Sequence, residues 1–302
     1  MTFSPNLTPR LRRLSLAVLF AGGFSFPLLA SDSPPSVSPP REIVFLAGPK
    51  DHGMPGRHEH EKDLRILAHC IDNSPNLAGL TTKLHVGSAP RDLAYFENAA
   101  VIVIESSSDR HPRETHPLFP PEPANPNHRY DEETTAWLKD LDALIKKNRI
   151  GVVVFHYANW VEHWTARGYY LQWLGGLWVQ MASRNPVDEW TMTPRVPGHP
   201  IFRGVKPWTY HDEVFCRFFL PPNDPNRTDL LTGTPAKSPI GPQVVSWAYQ
   251  REDGGRGFVM GGVDFHVNMQ HEDYRRFLLN GIVWAAGAEI PSEGVQSTPP
   301  AQ

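Results

Sequence analysis

Short apolar runs alternate with longer amphipathic stretches along the first half of this chain, and their order predicts strand, helix, strand, strand, helix, strand. Glu42 to Ala47 (EIVFLA) stops at Gly48-Pro49, which predicts a buried first strand. Leu64, Leu67, Ala68 and Ile71 recur at helical spacing and place a helix over about 58–72. Thr81 to Val86 predicts a second strand. Ala100 to Glu105 (AVIVIE) predicts a third, apolar until its last residue, as suits the centre of a parallel sheet. Asp131 to Lys147 reads as the second helix: Asp131 can cap it, Trp137, Leu141, Leu144 and Ile145 share a face, and Lys146-Lys147 suit its C-terminal end. Ile150 to Phe155 is the fourth strand.

The pattern then changes. A Trp- and Gly-rich helical stretch runs from Trp164 to Trp178, and Trp190 to Val196, Tyr210 to Phe219, Gln243 to Tyr249 and Gly257 to Gly262 read as strands. A helix from His271 to Ala286 closes the series, with Phe277, Leu278, Ile282 and Trp284 to pack. Parallel strands need helical crossovers, and helices on both faces bury them. The expectation is an α/β fold: an open, mostly parallel sheet of flavodoxin-like type, with antiparallel strands added in the C-terminal half.

The two ends of the chain read differently from its middle. Arg10, Arg12 and Arg13 precede an apolar run from Leu14 to Leu29 that Gly22, Gly23 and Pro27 interrupt, and Ala30 is followed by Ser31-Asp32. That is the layout of a signal peptide over residues 1–30, and it predicts an exported protein, periplasmic or extracellular, with no stable membrane span after cleavage. Residues 31–41 read as a Pro/Ser-rich linker, 42–291 as the folded domain and 292–302 as a disordered tail. Losing residues 1–30 removes three arginines and no acid, so the net charge moves from −3 to −6. No basic stripe is built, which argues against nucleic acid as a partner. Cys70 and Cys216 are too few for a disulfide framework and read as buried hydrophobes. The segment 106–129 is Pro-rich and without periodicity, a lid or an excursion over whatever it borders.

Ligands in open α/β sheets bind beyond the C-terminal strand ends, and this sequence repeatedly places histidines there. Asp51, His52, His58 and His60 follow the first strand; Asp109 and His111 follow the third; His156 and His163 follow the fourth; Asp264 and His266 follow a late one. Gly261 and Gly262 before Asp264 permit close backbone approach. If that strand continues, Asp264 and His266 share a side as a carboxylate–imidazole pair, suited to orienting a metal ligand or to general-base work. Asp212 and Glu213 are adjacent in a strand, so only one of them serves a given pocket. Several neutral imidazoles with a carboxylate suit zinc or a similar divalent cation without requiring one. The signatures of zinc peptidases, P-loop hydrolases and serine hydrolases are missing. Trp173 and Trp178 read as core, and Trp160, close behind His156, as a pocket wall.

AGPKDHGMPGRHEHEKD, GVVVFHYANW, YYLQWLGGLW, HPIFRGVKPWTYHDE, VSWAYQREDGGRGFVMGGVDFH and FLLNGIVWAAGAEIP together resemble ThuA-like proteins, a family named for trehalose utilisation, over about Glu42 to Pro291. The resemblance implies a class I glutamine-amidotransferase-like fold and an association with oxidised (3-keto) sugars. His156 stands where the amidotransferases carry their nucleophilic cysteine, so amidotransferase chemistry is not expected. By matching motifs, His58, His60, His156, Asp212, Glu213 and His266 carry over as pocket residues. The expected activity is isomerisation, elimination or hydrolysis of a keto-sugar or keto-glycoside by proton abstraction beside the carbonyl. His156 is the expected base, with Asp212, Glu213 and Asp264 as further acid/base groups. His58, His60 and His266 are the expected metal ligands, and His52, Trp160 and Asp109 the expected substrate contacts. The alternative is a non-catalytic periplasmic module that binds a carbohydrate or a metal with the same pocket. Nothing in the sequence fixes an oligomeric state.

Overall fold

In the computed structural model, residues 41–110, 114–119 and 132–300 are described. The expected signal peptide, the linker up to residue 40, His111 and the cap at Asp131 lie outside them. The elements in order are β1 (Arg41–Ala47), α1 (His60–Asp72), β2 (Leu80–Val86), β3 (Ala99–Glu105), α2 (Glu132–Asn148), β4 (Gly151–Phe155), α3 (Trp164–Leu174), β5 (Val187–Pro194), β6 (Trp208–Glu213), β7 (Arg227–Pro235), β8 (Gln243–Gln250), β9 (Arg256–Met260) and α4 (Glu272–Ala285).

They build one 9-stranded sheet in the order β2-β1-β3-β4-β9-β8-β7-β5-β6. β2, β1, β3, β4 and β9 run parallel, and β8, β7, β5 and β6 continue the sheet with antiparallel pairing. This is the expected α/β architecture, and the parallel half has the flavodoxin-like order, with β9 as its fifth strand. Side chains of β1 alternate between the faces. Ile43 and Phe45 pack with Leu64 and Leu67 of α1 and with Phe277 and Leu278 of α4, whereas Val44 and Leu46 share a core with Leu141 of α2 and Trp173 of α3. Both faces of the parallel half are thereby covered, which is why its strands read as unbroken apolar runs.

Three differences from the sequence expectation have local causes. The helix expected to reach Trp178 stops at Leu174, because Gly175 takes a left-handed φ of 68° and its N–H caps the carbonyl of Leu171. β7, RTDLLTGTP, has no counterpart in the expectation: its charge, threonines and Gly233 hide a strand made by pairing to β5 and β8. Residues beyond Pro291, expected to be loose, are held down. Val295 is wholly buried, its N–H donates to Asn280 Oδ1 at 2.9 Å, and Arg275 Nε donates to Ser297 Oγ at 3.0 Å. Cys70 and Cys216 are buried and free, as expected. Among the described residues no helix is long and apolar enough to cross a membrane.

Candidate functional site

The chain leaves β1 for β2 on one side of the sheet and comes back to β3 on the other, so the C-terminal ends of β1 and β3 flank a topological switch point. Four segments meet there: the loop from Gly48 into α1, the end of β3 at Glu105, the turn His156–Asn159 after β4, and the loop Gly261–Phe265 after β9. Three of these segments carry backbone strain. His58, His156 and Val263 have φ of 51°, 47° and 86°, a region that costs a non-glycine residue and a β-branched one most. Gly261 and Gly262 do allow a close approach. A Cβ on Gly261 would collide with the Phe215 carbonyl, and one on Gly262 with Tyr210 and Asp212.

His58, His156 and Asp264 converge: each places a ligand-capable atom within 4.8 Å of those of the other two, and all three are buried. His156 Nδ1 donates to the Gly261 carbonyl at 3.0 Å, which leaves Nε2 as a bare lone pair. That nitrogen, His58 Nδ1 and Asp264 Oδ1 are buried and have no hydrogen-bond partner among the described residues. His58 Nε2 lies 3.3 Å from Asp264 Oδ1, and the His58 N–H donates to the Asp264 carbonyl at 3.1 Å. Burial first, then the neighbouring His156, His52 and His60, push the His58 imidazole far below its usual pKa and keep it neutral, the state in which it can ligate. Two nitrogens and one carboxylate oxygen suit zinc, manganese, iron or nickel better than an all-oxygen cation.

The ligand-capable carboxylate is held from behind. Arg57 Nε donates to Asp264 Oδ2 at 2.6 Å, Arg57 Nη2 also reaches Glu213, and the guanidinium lies 5.0 Å from the centroid of the Phe265 ring. Asp212 is wholly buried and accepts from the backbone N–H groups of Val263, Asp264 and Phe265 at 3.1, 3.3 and 3.0 Å. Burial raises its carboxyl to about 8 against the pull of those donors. Asp212 therefore fixes the turn that presents Asp264.

His52 lies toward solvent, with its ring centroid 4.2 Å from that of His58 and 5.3 Å from Tyr157. Its Nδ1 is 2.6 Å from Asp51 Oδ1, and this bond raises the imidazole pKa although burial opposes it. Asp51 is itself buttressed: Ser107 Oγ donates to Oδ1 at 2.6 Å and the Thr115 N–H to Oδ2 at 2.8 Å. Asp51 and His52 form a carboxylate–imidazole dyad beside the three converging groups.

The remaining expected residues fall elsewhere. His60 and His266 are not among the converging ligand atoms. His60 Nδ1 faces Glu105 at 3.4 Å, and His266 Nδ1 lies 2.5 Å from Asp63. The strand expected to align Asp264 with His266 ends at Met260, so the two diverge. Glu213 is engaged by Arg57 and Asn185. Asp109 accepts from the backbone of Glu162 and His163. Trp160 packs on Trp178, ring centroids 3.9 Å apart, within the core. Arg57, Asp63 and Glu105 were missed. A lone acid closing an apolar strand marks Glu105; Asp63 and Arg57 gave no signal beyond their places in the first turn of a predicted helix and between Gly56 and His58.

Known proteins share parts of this chain's sequence and fold. The model of the family described as "ThuA: Trehalose utilisation" matches residues 131–285, about half of the chain. A solved structure described as a ThuA-like protein from Bacteroides uniformis is similar with a TM-score of 0.58 at 12% identity, covering 86% of this chain and 95% of that one. A glutamine amidotransferase from Thermotoga maritima is similar with a TM-score of 0.40 at 10% identity, covering 81% of this chain and 96% of that one. No curated protein sequence matches.

Proposed function

This chain belongs to the ThuA family, and on that premise we propose that it is an exported enzyme acting on a keto-sugar or keto-glycoside. The observation that carries the proposal is the meeting of His58, His156 and Asp264, each with a buried polar atom that has no hydrogen-bond partner among the described residues, beside the Asp51–His52 dyad.

A ketone in a sugar ring acidifies the neighbouring C–H. Removing that proton takes a base near neutral pKa and a stabiliser for the oxygen on which charge develops. In this proposal His58, His156 and Asp264 hold a divalent cation, zinc or a similar one, which when bound would supply polarisation of the carbonyl oxygen. His52 takes the proton, since Asp51 lifts its basicity and orients its ring. His156, the base expected from sequence, serves instead as a ligand, because its Nδ1 is committed to Gly261 and its Nε2 points among the other ligand atoms. Returning the proton to the adjacent carbon gives isomerisation, and loss of a neighbouring substituent gives elimination. Fold alone does not separate catalysis from binding, since one fold hosts both kinds of site.

The test combines metal and turnover. The domain from residue 31 onward is purified, its metal content is measured by elemental analysis, and it is incubated in D2O with trehalose oxidised at C3 while proton NMR follows the C–H signals beside the ketone. We expect stoichiometric metal, lost in His58→Ala and Asp264→Ala, and exchange or product formation that His52→Gln slows by about a hundredfold or more. Tight binding of the keto-sugar without exchange or product would sink the enzyme in favour of the carbohydrate-binding module. Export is tested separately by fusing residues 1–30 to a periplasmic reporter; a reporter left in the cytoplasm would refute it.

A further inference from the structure

The loop between β1 and α1 carries three of the residues on which the proposed site depends, His52, Arg57 and His58, and its tip lies outside the core. Residues 53–56 are exposed, Met54 by 71%. A tip with so little apolar burial frays unless polar contacts hold it, and here they converge on one side chain.

Met54-Pro55-Gly56-Arg57 is a type II turn: proline presets φ at its second position, Gly56 takes φ 85° at its third, and the Arg57 N–H donates to the Met54 carbonyl at 3.0 Å. Lys50 Nζ donates to the carbonyls at both ends of this turn, Met54 at 3.1 Å and Arg57, and pairs with Glu59 Oε1 at 3.1 Å. Glu59 Oε1 in turn accepts from the Gly56 N–H at 3.0 Å. An ammonium has three hydrogens, so these three acceptors use all of them on one short loop.

The stitched turn is what meets the loop after β9. The Gly56 carbonyl accepts from the His266 N–H at 2.9 Å, and the His58 N–H donates to the Asp264 carbonyl at 3.1 Å, with Arg57 and Phe265 paired as an antiparallel bridge. Through that bridge one converging residue from the start of the chain is set against another from its end. The His58 ring also lies against Gly53, where a Cβ would come within 2.7 Å of it, so tip and imidazole do not move independently.

We propose that Lys50 is a positioning residue for the cation site: by drawing Met54, Arg57 and Glu59 around one ammonium it shapes the turn that sets His58 against Asp264, and so tunes cation affinity without touching the cation. This rests on the reading that His58, His156 and Asp264 hold a cation, whereas the stitching of the turn stands without it. Lys62 Nζ pairs with the other oxygen of Glu59 at 2.8 Å, its side chain 64% exposed, and provides the control.

Zinc affinity is measured by competition with a chromogenic chelator on the domain from residue 31 onward, next to the urea midpoint of the metal-free domain. We expect Lys50→Met to weaken zinc about tenfold while the urea midpoint stays near that of the wild type. Lys62→Met should keep the wild-type affinity. Lys50→Cys should behave as Lys50→Met, and alkylating it with 2-bromoethylamine, which rebuilds an ammonium at lysine length, should restore most of the affinity; Cys70 and Cys216 are buried and escape the reagent. Wild-type affinity in Lys50→Met overturns the proposal. So does an equal loss in Lys62→Met, or an alkylated Lys50→Cys that binds no tighter than the free thiol. A domain that loses its fold, or a urea midpoint that falls in step with the affinity, would make Lys50 a prop for the whole molecule and overturn it too. If the wild type binds no zinc, manganese or nickel, the cation reading falls, and amide hydrogen exchange decides for Lys50. Faster exchange at Arg57, His58 and His266 in Lys50→Met then supports the stitched turn, and unchanged exchange refutes it.

Discussion

Arg57 is the residue on which the candidate ligand carboxylate leans most. Asp264 is wholly buried, its Oδ2 accepts from Arg57 Nε and lies 2.5 Å from Nη2, and the Arg57 side chain also donates to Glu213. Replacing it by methionine keeps the stem and leaves two acids without their cation, which should cost about 3 kcal/mol in urea unfolding. Lysine should recover only part, because it cannot make the forked contact. The histidines give the molecule an acid-sensitive side. His60 has its pKa lowered by burial to about 3 from 6.5, so between those values an unfolded chain takes up a proton that the folded one refuses. His58 is shifted in the same direction, and His52 and His266 in the other. For His60 the stabilisation is full above pH 6.5 and declines as pH falls toward 3. The urea midpoint of metal-free His60→Phe should accordingly fall less steeply on acidification than that of the wild type. Equal slopes would mean that His60 is not held neutral by folding.

The elements do different work in presenting these side chains. β6 forms the far edge of the sheet, yet its Asp212 braces the turn after β9, and the chain just beyond it bonds back to that turn through the Phe215 N–H and the Gly261 carbonyl at 2.8 Å. Asp212→Ala should cost about 3 kcal/mol and raise amide hydrogen exchange at Val263, Asp264 and Phe265, with Asp212→Asn intermediate. Unchanged exchange at those amides would show that the turn keeps its shape without the brace. Elements of the parallel half were legible because burial on both faces writes β1, β3 and β4 as apolar runs. β7 was not, since its stability comes from neighbours on either side. The candidate site was legible as a set of strand ends carrying His58, His156 and Asp264. Which of the clustered histidines converge was not, because that depends on φ at His58 and His156 and on where β9 stops, none of which a residue pattern encodes.

For the molecule as a whole, the folded unit continues past the point where the sequence turns polar. Val295 contributes an isolated apolar side chain, too little for a periodic signal, yet it fills the core beside Asn280, and Gln296 bonds to Asn76. A domain ended after Pro291 should lose about 2 kcal/mol from the valine and about 1 from the stranded Asn280 oxygen, visible as a fall in Tm. An unchanged Tm would show that residues beyond 291 add nothing.

The three converging residues, His58, His156 and Asp264, are drawn from the early, middle and late parts of the chain. A ribosome that has released β1 and β4 has exposed two imidazoles and no carboxylate, and the set closes only when β9 docks beside β4. Contacts so distant in sequence form late, after the loop-closure entropy has been met. A cation held this way cannot serve as a nucleus for folding in the manner of a zinc finger. It would enter a finished protein, so a chain would fold first and load second.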